Sequence, residues 1–198
     1  MTEPRELLVG ITGASGAIYA DRLLRAAAPR VERTSLVLTR QGAEIAAHEL
    51  GWAVNLDTLD IAGPPAEVLE RVSLFRPDDL SCRYASGSSA PDAMIVIPCS
   101  SGAAGRMAAG LGDTLLTRAA AVCLKERRPL VLVVRESPLS LIDLRNLVRL
   151  AEAGAIIMPA SPPFYSGPQR LEELADYFVA RVLDQVGIRL DHPGRWRG

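Results

Sequence analysis

Five short stretches of this chain are apolar at nearly every position: residues 7–11, 35–39 (where Ser35 and Thr39 flank the apolar centre), 93–97, 130–134 and 155–158. Each has the length of a strand, and an unbroken apolar run reads as a strand covered on both faces. Helical spacing of apolar positions appears between them, over residues 17–28, 41–50, 103–110, 114–127, 139–153 and 171–187. Residues 69–74 predict a further short strand. Residues 55–65, with their Asp, Gly and Pro, predict irregular chain, and the Ser- and Gly-rich 78–91 a surface stretch. Buried strands alternating with helices predict an α/β fold, a Rossmann-like or flavodoxin-like three-layer sandwich around a mainly parallel sheet. No repeat or linker divides the 198 residues, so a single domain is expected, with its core over about 7–187 and a tail over 188–198.

Composition narrows the function. The net charge is −1, and no block of basic residues offers an electrostatic footprint for nucleic acid. No apolar run is long enough to span a membrane. Three cysteines, Cys82, Cys99 and Cys123, lack metal-type spacing, and two histidines make no His-rich site. A metal-free, cytoplasmic protein with reduced thiols is expected. Aromatic content of 5% with abundant small residues leaves some apolar faces to be covered by other subunits. Among twenty-one arginines stands one lysine, Lys125, a compact charge suited to phosphate.

Ligands of an open parallel sheet bind outside the carboxyl ends of its strands. The candidate loops are therefore 12–16, 39–41, 98–102, 135–138 and 159–167. In the first, Thr12-Gly-Ala-Ser-Gly16, glycines permit close backbone approach, and the next helix start offers free N–H groups to an anion. Cys99-Ser-Ser-Gly102 likewise ends a strand and opens a helix, where ordinary N-capping by serine is the competing explanation. Arg135 and Glu136 follow a buried strand directly and point opposite ways in extended chain. Tyr165 lies in a Pro-rich loop, either closing over a ligand or plugging the core. Cys99 and Cys123 read as small buried hydrophobes.

Taken together, these stretches resemble the flavin prenyltransferase family, the UbiX-type proteins, whose fold is close to that of the flavin-containing cysteine decarboxylases. The matching segments include Thr12-Gly-Ala-Ser-Gly-Ala17, Ala85-Ser-Gly-Ser-Ser-Ala-Pro91, Ile97-Pro-Cys-Ser100, Leu116-Thr-Arg-Ala-Ala120, Leu124-Lys-Glu-Arg-Arg-Pro129, Arg135-Glu-Ser-Pro-Leu-Ser140 and Pro163-Phe-Tyr165. The likeness runs over nearly the whole chain. It implies an enzyme that joins a dimethylallyl group from dimethylallyl monophosphate to reduced FMN without a metal. The product, prenylated FMN, serves a UbiD-type decarboxylase. Homo-oligomers, dodecamers with sites at subunit interfaces, are implied as well.

By the same resemblance FMN lies against Gly13, Ala14, Ser15, Thr39, Ser100, Ser101, Gly102 and Ala103, with Arg135 nearby. Lys125, Arg135, Tyr165 and Arg181 hold the allyl phosphate, while Glu49 and Glu136 match positions of proton handling and phosphate release. A departing phosphate with no metal needs other positive charge, which one Lys and two Arg supply. Two features depart from expectation. Ala103 stands where the family often has Thr, removing a hydroxyl, and Arg106 in the same helix has no counterpart role. The competing readings are an FMN-dependent cysteine decarboxylase and a non-enzymatic flavin carrier. The first lacks an Asn in the 98–102 loop and a His in residues 50–90.

Overall fold

The chain opens with strand β1 (Glu6–Ile11), helix α1 (Ala17–Ala27), β2 (Arg33–Leu38) and α2 (Arg40–Leu50). A small pair, β3 (Ala53–Asn55) and β4 (Asp60–Ala62), precedes the one-turn helix α3 (Ala66–Leu69) and β5 (Val72–Phe75). Then come β6 (Ala93–Cys99), α4 (Ser101–Ala108), α5 (Leu115–Lys125), β7 (Leu130–Val134), α6 (Leu141–Glu152), β8 (Ile156–Pro159) and α7 (Leu171–Asp184). The computed structural model describes residues 3–164 and 167–191.

Six strands form one parallel sheet in the order β5-β2-β1-β6-β7-β8. The five apolar runs are all in it. Period-two alternation splits the core into two layers. Leu7, Val9 and Ile11 face a cluster that includes Leu23 and Leu24 of α1 and Phe178 and Val182 of α7. Leu8, Met94 and Val96 face the opposite way, onto Met107 of α4, Leu116 and Ala120 of α5 and Leu150 of α6. Each such fully buried aliphatic side chain contributes about 1.5–3 kcal/mol against exposure.

Two readings of the sequence are corrected. Residues 55–65 are not simply irregular, because β3 and β4 pair there as an antiparallel hairpin, with Val54 opposite Ile61. Its turn is fixed by Asn55, whose side-chain oxygen accepts from the N–H groups of Asp57 and Thr58 at 2.9 and 3.0 Å. Nor is 78–91 only a surface stretch. It carries Tyr84, fully buried, whose hydroxyl meets Ser35 Oγ at 2.6 Å and also donates to Glu6. Burial first, then Glu6, pushes the Tyr84 phenol up to about 12. Arg33 and Arg83 pair with the same Glu6 at 3.0 and 3.1 Å, closing a polar cluster at the amino edge of the sheet.

Strand order reverses between β1 and β6, since the chain moves from β1 to β2 on one side and from β6 to β7 on the other. A crevice opens at the carboxyl ends of strands at such a point.

Candidate active site

Thr12, at the end of β1, ties the two sides of that crevice together. Its buried hydroxyl donates to the Pro98 carbonyl at 2.9 Å and accepts from the Ser100 N–H at 2.7 Å. The loops after β1 and β6 are thereby held in one register. Close approach continues toward α2, where a Cβ on Gly13 would come within 2.5 Å of Gln41 Cβ. The crevice is a cleft of about 510 Å³, lined among others by Thr12, Gly13, Thr39, Ser100, Gly102 and Ala103. That volume suits a cofactor-sized ligand.

Two helices begin at the cleft. Thr39 caps α2 by accepting from Gly42 N–H at 2.9 Å, and Ser100 caps α4 by accepting from Ala103 N–H at 3.2 Å. Serine capping, the competing explanation for the 98–102 loop, therefore holds for Ser100. It does not use up the helix start, because each cap leaves other first-turn N–H groups directed outward. Neither helix has an acid in its first turn. A Cβ on Gly102 would meet nothing within 4 Å, so the start of α4 is open to a ligand.

The start of α1 differs from expectation. Gly16, in the left-handed region at φ 110°, places no side-chain cap there. Instead Glu49, near the end of α2, accepts from Gly16 N–H at 2.9 Å and from Ala17 N–H at 2.8 Å. These N–H groups are engaged by a carboxylate and are not free for phosphate. Burial pushes the Glu49 carboxyl up, but the Ser15 hydroxyl, both backbone N–H groups and Arg135 outweigh it and hold it below the usual range. Arg135, just after β7, donates from Nε to the Ser15 carbonyl at 3.1 Å. Ser15, Glu49 and Arg135 thus form one connected group beside Ala14, which is buried.

Glu136 meets the loop after β6 rather than the one after β1. Ser101 Oγ donates to it at 2.8 Å and Ser137 N–H at 3.1 Å. The Ser101 hydroxyl first, then Ser137 and Arg135, hold its carboxyl low. Cys99 precedes this loop but is fully buried, and burial pushes its thiol up to about 12; Cys123 reaches about 12 for the same reason. Neither is a thiolate nucleophile at neutral pH.

Lys125 is not brought to this group. It ends α5, five residues before β7 begins, and so lies at the amino edge of the sheet, where it pairs with Glu126 beside Gly87. Arg135 follows the far end of β7, roughly 16 Å of strand away. Arg181 is in the last turn of α7, with Asp184 at 3.3 Å, and Asp184 lines a groove with Arg127 and Pro129 toward the same amino edge. Tyr165 lies outside the described residues. Among the described residues no three His, Cys, Asp or Glu side chains gather as a metal site.

The flavoprotein family model matches residues 1–182. Flavin prenyltransferase UbiX of Pseudomonas aeruginosa is 39% identical over 206 residues, spanning 99% of this chain and 96% of that protein. The chain belongs to the flavin prenyltransferase family. A crystal structure of the family member AnUbiX (PadA1), in complex with FMN and dimethylallyl pyrophosphate, superposes with a TM-score of 0.86 at 35% identity, covering 98% of both chains. A dodecameric FMN-dependent UbiX-like decarboxylase from Escherichia coli O157:H7 gives 0.85 at 37% identity, over 97% of this chain and 99% of that one. Positions 13–15, 39, 100–103 and 135 all lie at the carboxyl ends of β1, β2, β6 and β7.

Proposed function

We propose that this chain is a flavin prenyltransferase that joins a dimethylallyl group, taken from dimethylallyl monophosphate, to reduced FMN. The observation that carries it is the Ser15–Glu49–Arg135 group beside a cleft into which two acid-free helix starts open. The residues present fit a flavin phosphate ester. Gly13, Thr39 and the first turn of α4 would hold it, with Ser15, Ser101 and Arg135 around the remainder. Reduced FMN supplies an electron-rich ring nitrogen and an adjacent aromatic carbon as bonding positions.

This chain's residues supply the rest. Arg135 brings a fixed positive charge to the loop after β1, through its bond to the Ser15 carbonyl. Ser15 donates to Glu49, so a proton leaving a ligand near Ser15 has a carboxylate behind it. Glu136 is held ionised by Ser101, Ser137 and Arg135, the protonation state a base requires. Lys125 and Arg181 would reach such a cleft only from other copies of the chain.

Association has its own support. α6 exposes Leu141, Ile142, Leu144 and Val148, with only Leu150 fully buried. A row of this kind is costly to leave in water. A homo-oligomer, dodecameric like the Escherichia coli relative, covers it and brings amino-edge residues to a neighbour's carboxyl-edge cleft. A UbiD-type decarboxylase is the proposed recipient of the product. The cytoplasm is the proposed compartment, in keeping with three free buried cysteines. No helix among the described residues is long and apolar enough to cross a membrane.

Anaerobic incubation with reduced FMN and dimethylallyl monophosphate, followed by mass analysis of the flavin, tests the activity. Gain of one five-carbon unit is expected; an unaltered flavin overturns the reading.

A further inference from the structure

Arg106 lines the same cleft as Thr39, Ser100 and Ala103, yet the family resemblance gives it no role. It lies three residues beyond Ala103, so the two share one side of α4. Where a threonine hydroxyl would have met the flavin, this chain has a methyl group, and one turn further along it has a guanidinium. That guanidinium pairs with Asp113 in the loop before α5. The two side chains are 47% and 52% exposed, so the pair is of the weak, solvent-screened kind and is easily exchanged. Asp113 keeps a second neighbour, Thr117 Oγ1 at 3.5 Å, when the arginine turns away.

What surrounds Arg106 favours an anion. Arg40, the first residue of α2, lines the cleft, is exposed, and has no ion-pair or hydrogen-bond partner for its side chain among the described residues. A cation at a helix start is unfavourable against the helix dipole unless an anion sits beside it. The starts of α2 and α4 both open here without an acid of their own. Of the charged residues on the lining, Arg40 and Arg106 outnumber the one carboxylate, Asp78.

We propose that Arg106 is a phosphate-reading residue: it exchanges Asp113 for the phosphate ester of FMN, replacing in part the hydroxyl lost at Ala103. The Arg106–Asp113 pair then sets how strongly the cleft distinguishes FMN from riboflavin. This rests on the FMN-binding reading above.

The test compares FMN and riboflavin dissociation constants, by flavin fluorescence, for the unaltered protein, Arg106→Gln, Arg106→Lys and Asp113→Asn, at low and high salt. Arg106→Gln is expected to weaken FMN about tenfold, as for loss of one charge-assisted hydrogen bond, and to leave riboflavin unchanged. Arg106→Lys should recover part of the loss. Asp113→Asn, which frees the guanidinium, should tighten FMN alone, and added salt should shrink both effects. Equal weakening of FMN and riboflavin by Arg106→Gln would reveal a packing role and overturn the proposal, as would no change in either. Melting temperatures of each variant identify misfolding, and in that case Asp113→Asn alone decides. If the unaltered protein binds neither flavin, the FMN reading itself fails; if it binds both equally, only the phosphate-reading role fails.

Discussion

Glu49 holds the N–H of Gly16, thirty-three positions earlier in the chain, with both carboxylate oxygens, at 2.9 and 3.2 Å. A residue near the end of α2 thereby completes the start of α1, which has no cap of its own. The folded state keeps this carboxyl's pKa below its unfolded value. Its stabilisation is therefore full above the unfolded carboxylate range and fades as pH falls through the folded pKa. Glu49→Gln should destabilise the fold by about 1 kcal/mol near neutral pH, the typical worth of a cap. The difference should narrow below about pH 4. Urea unfolding of both proteins at the two pH values measures it; a constant difference would mean the charge contributes nothing.

Thr12 offers a second test. Thr12→Val keeps the shape but leaves the Ser100 N–H without its acceptor, at a cost of about 1–3 kcal/mol. FMN affinity should fall with it, because the loops after β1 and β6 lose their common anchor. Thr12→Ser should restore both quantities. If Thr12→Val unfolds at the same urea concentration as the parent, the bridge carries no load.

At the opposite edge, Tyr84→Phe removes the hydroxyl shared by Ser35 and Glu6. Loss of about 1–3 kcal/mol is expected, since both partners stay partly buried without it. FMN affinity should be unaffected, because this cluster lies at the other end of the strands. Comparing unfolding midpoints with flavin titrations separates the two outcomes.

Lys125 and Arg135 sit at opposite ends of β7. Lys125→Met should slow prenyl transfer far more than it weakens FMN binding, and Arg135→Ala should impair both. Oligomers assembled from the two variants together should regain activity, at sites drawing Arg135 from one copy and Lys125 from another. Co-purified mixed assemblies carrying two different tags allow the rate to be read directly. No recovery in the mixture would show that the two residues do not share a site across copies.

Much of the fold was legible because its strands are covered on both faces. Runs such as 93–97 and 130–134 have no polar break to confuse with a helix. The β3–β4 hairpin escaped because its strands are three residues long and half exposed, so only Val54 and Ile61 carry a pattern. Tyr84 was hidden by its Ser- and Gly-rich neighbours; a lone large aromatic in such a stretch was the available signal. The loops of the site followed from the rule that strand ends bind ligands. The partner of α1's start did not, since nothing local in Thr12-Gly-Ala-Ser-Gly16 announces a glutamate from another helix. Lys125's distance from Arg135 could have been read from strand direction alone. Arg106 stood out by its residue type, but its tie to Asp113 needed coordinates.

Cys99 stands one residue before the capping serine of the cleft. Reduced flavins meeting oxygen generate peroxide, and peroxide attacks thiolates rather than thiols. Enclosed and protonated, the Cys99 sulfur is therefore a poor target for peroxide formed in the neighbouring cleft.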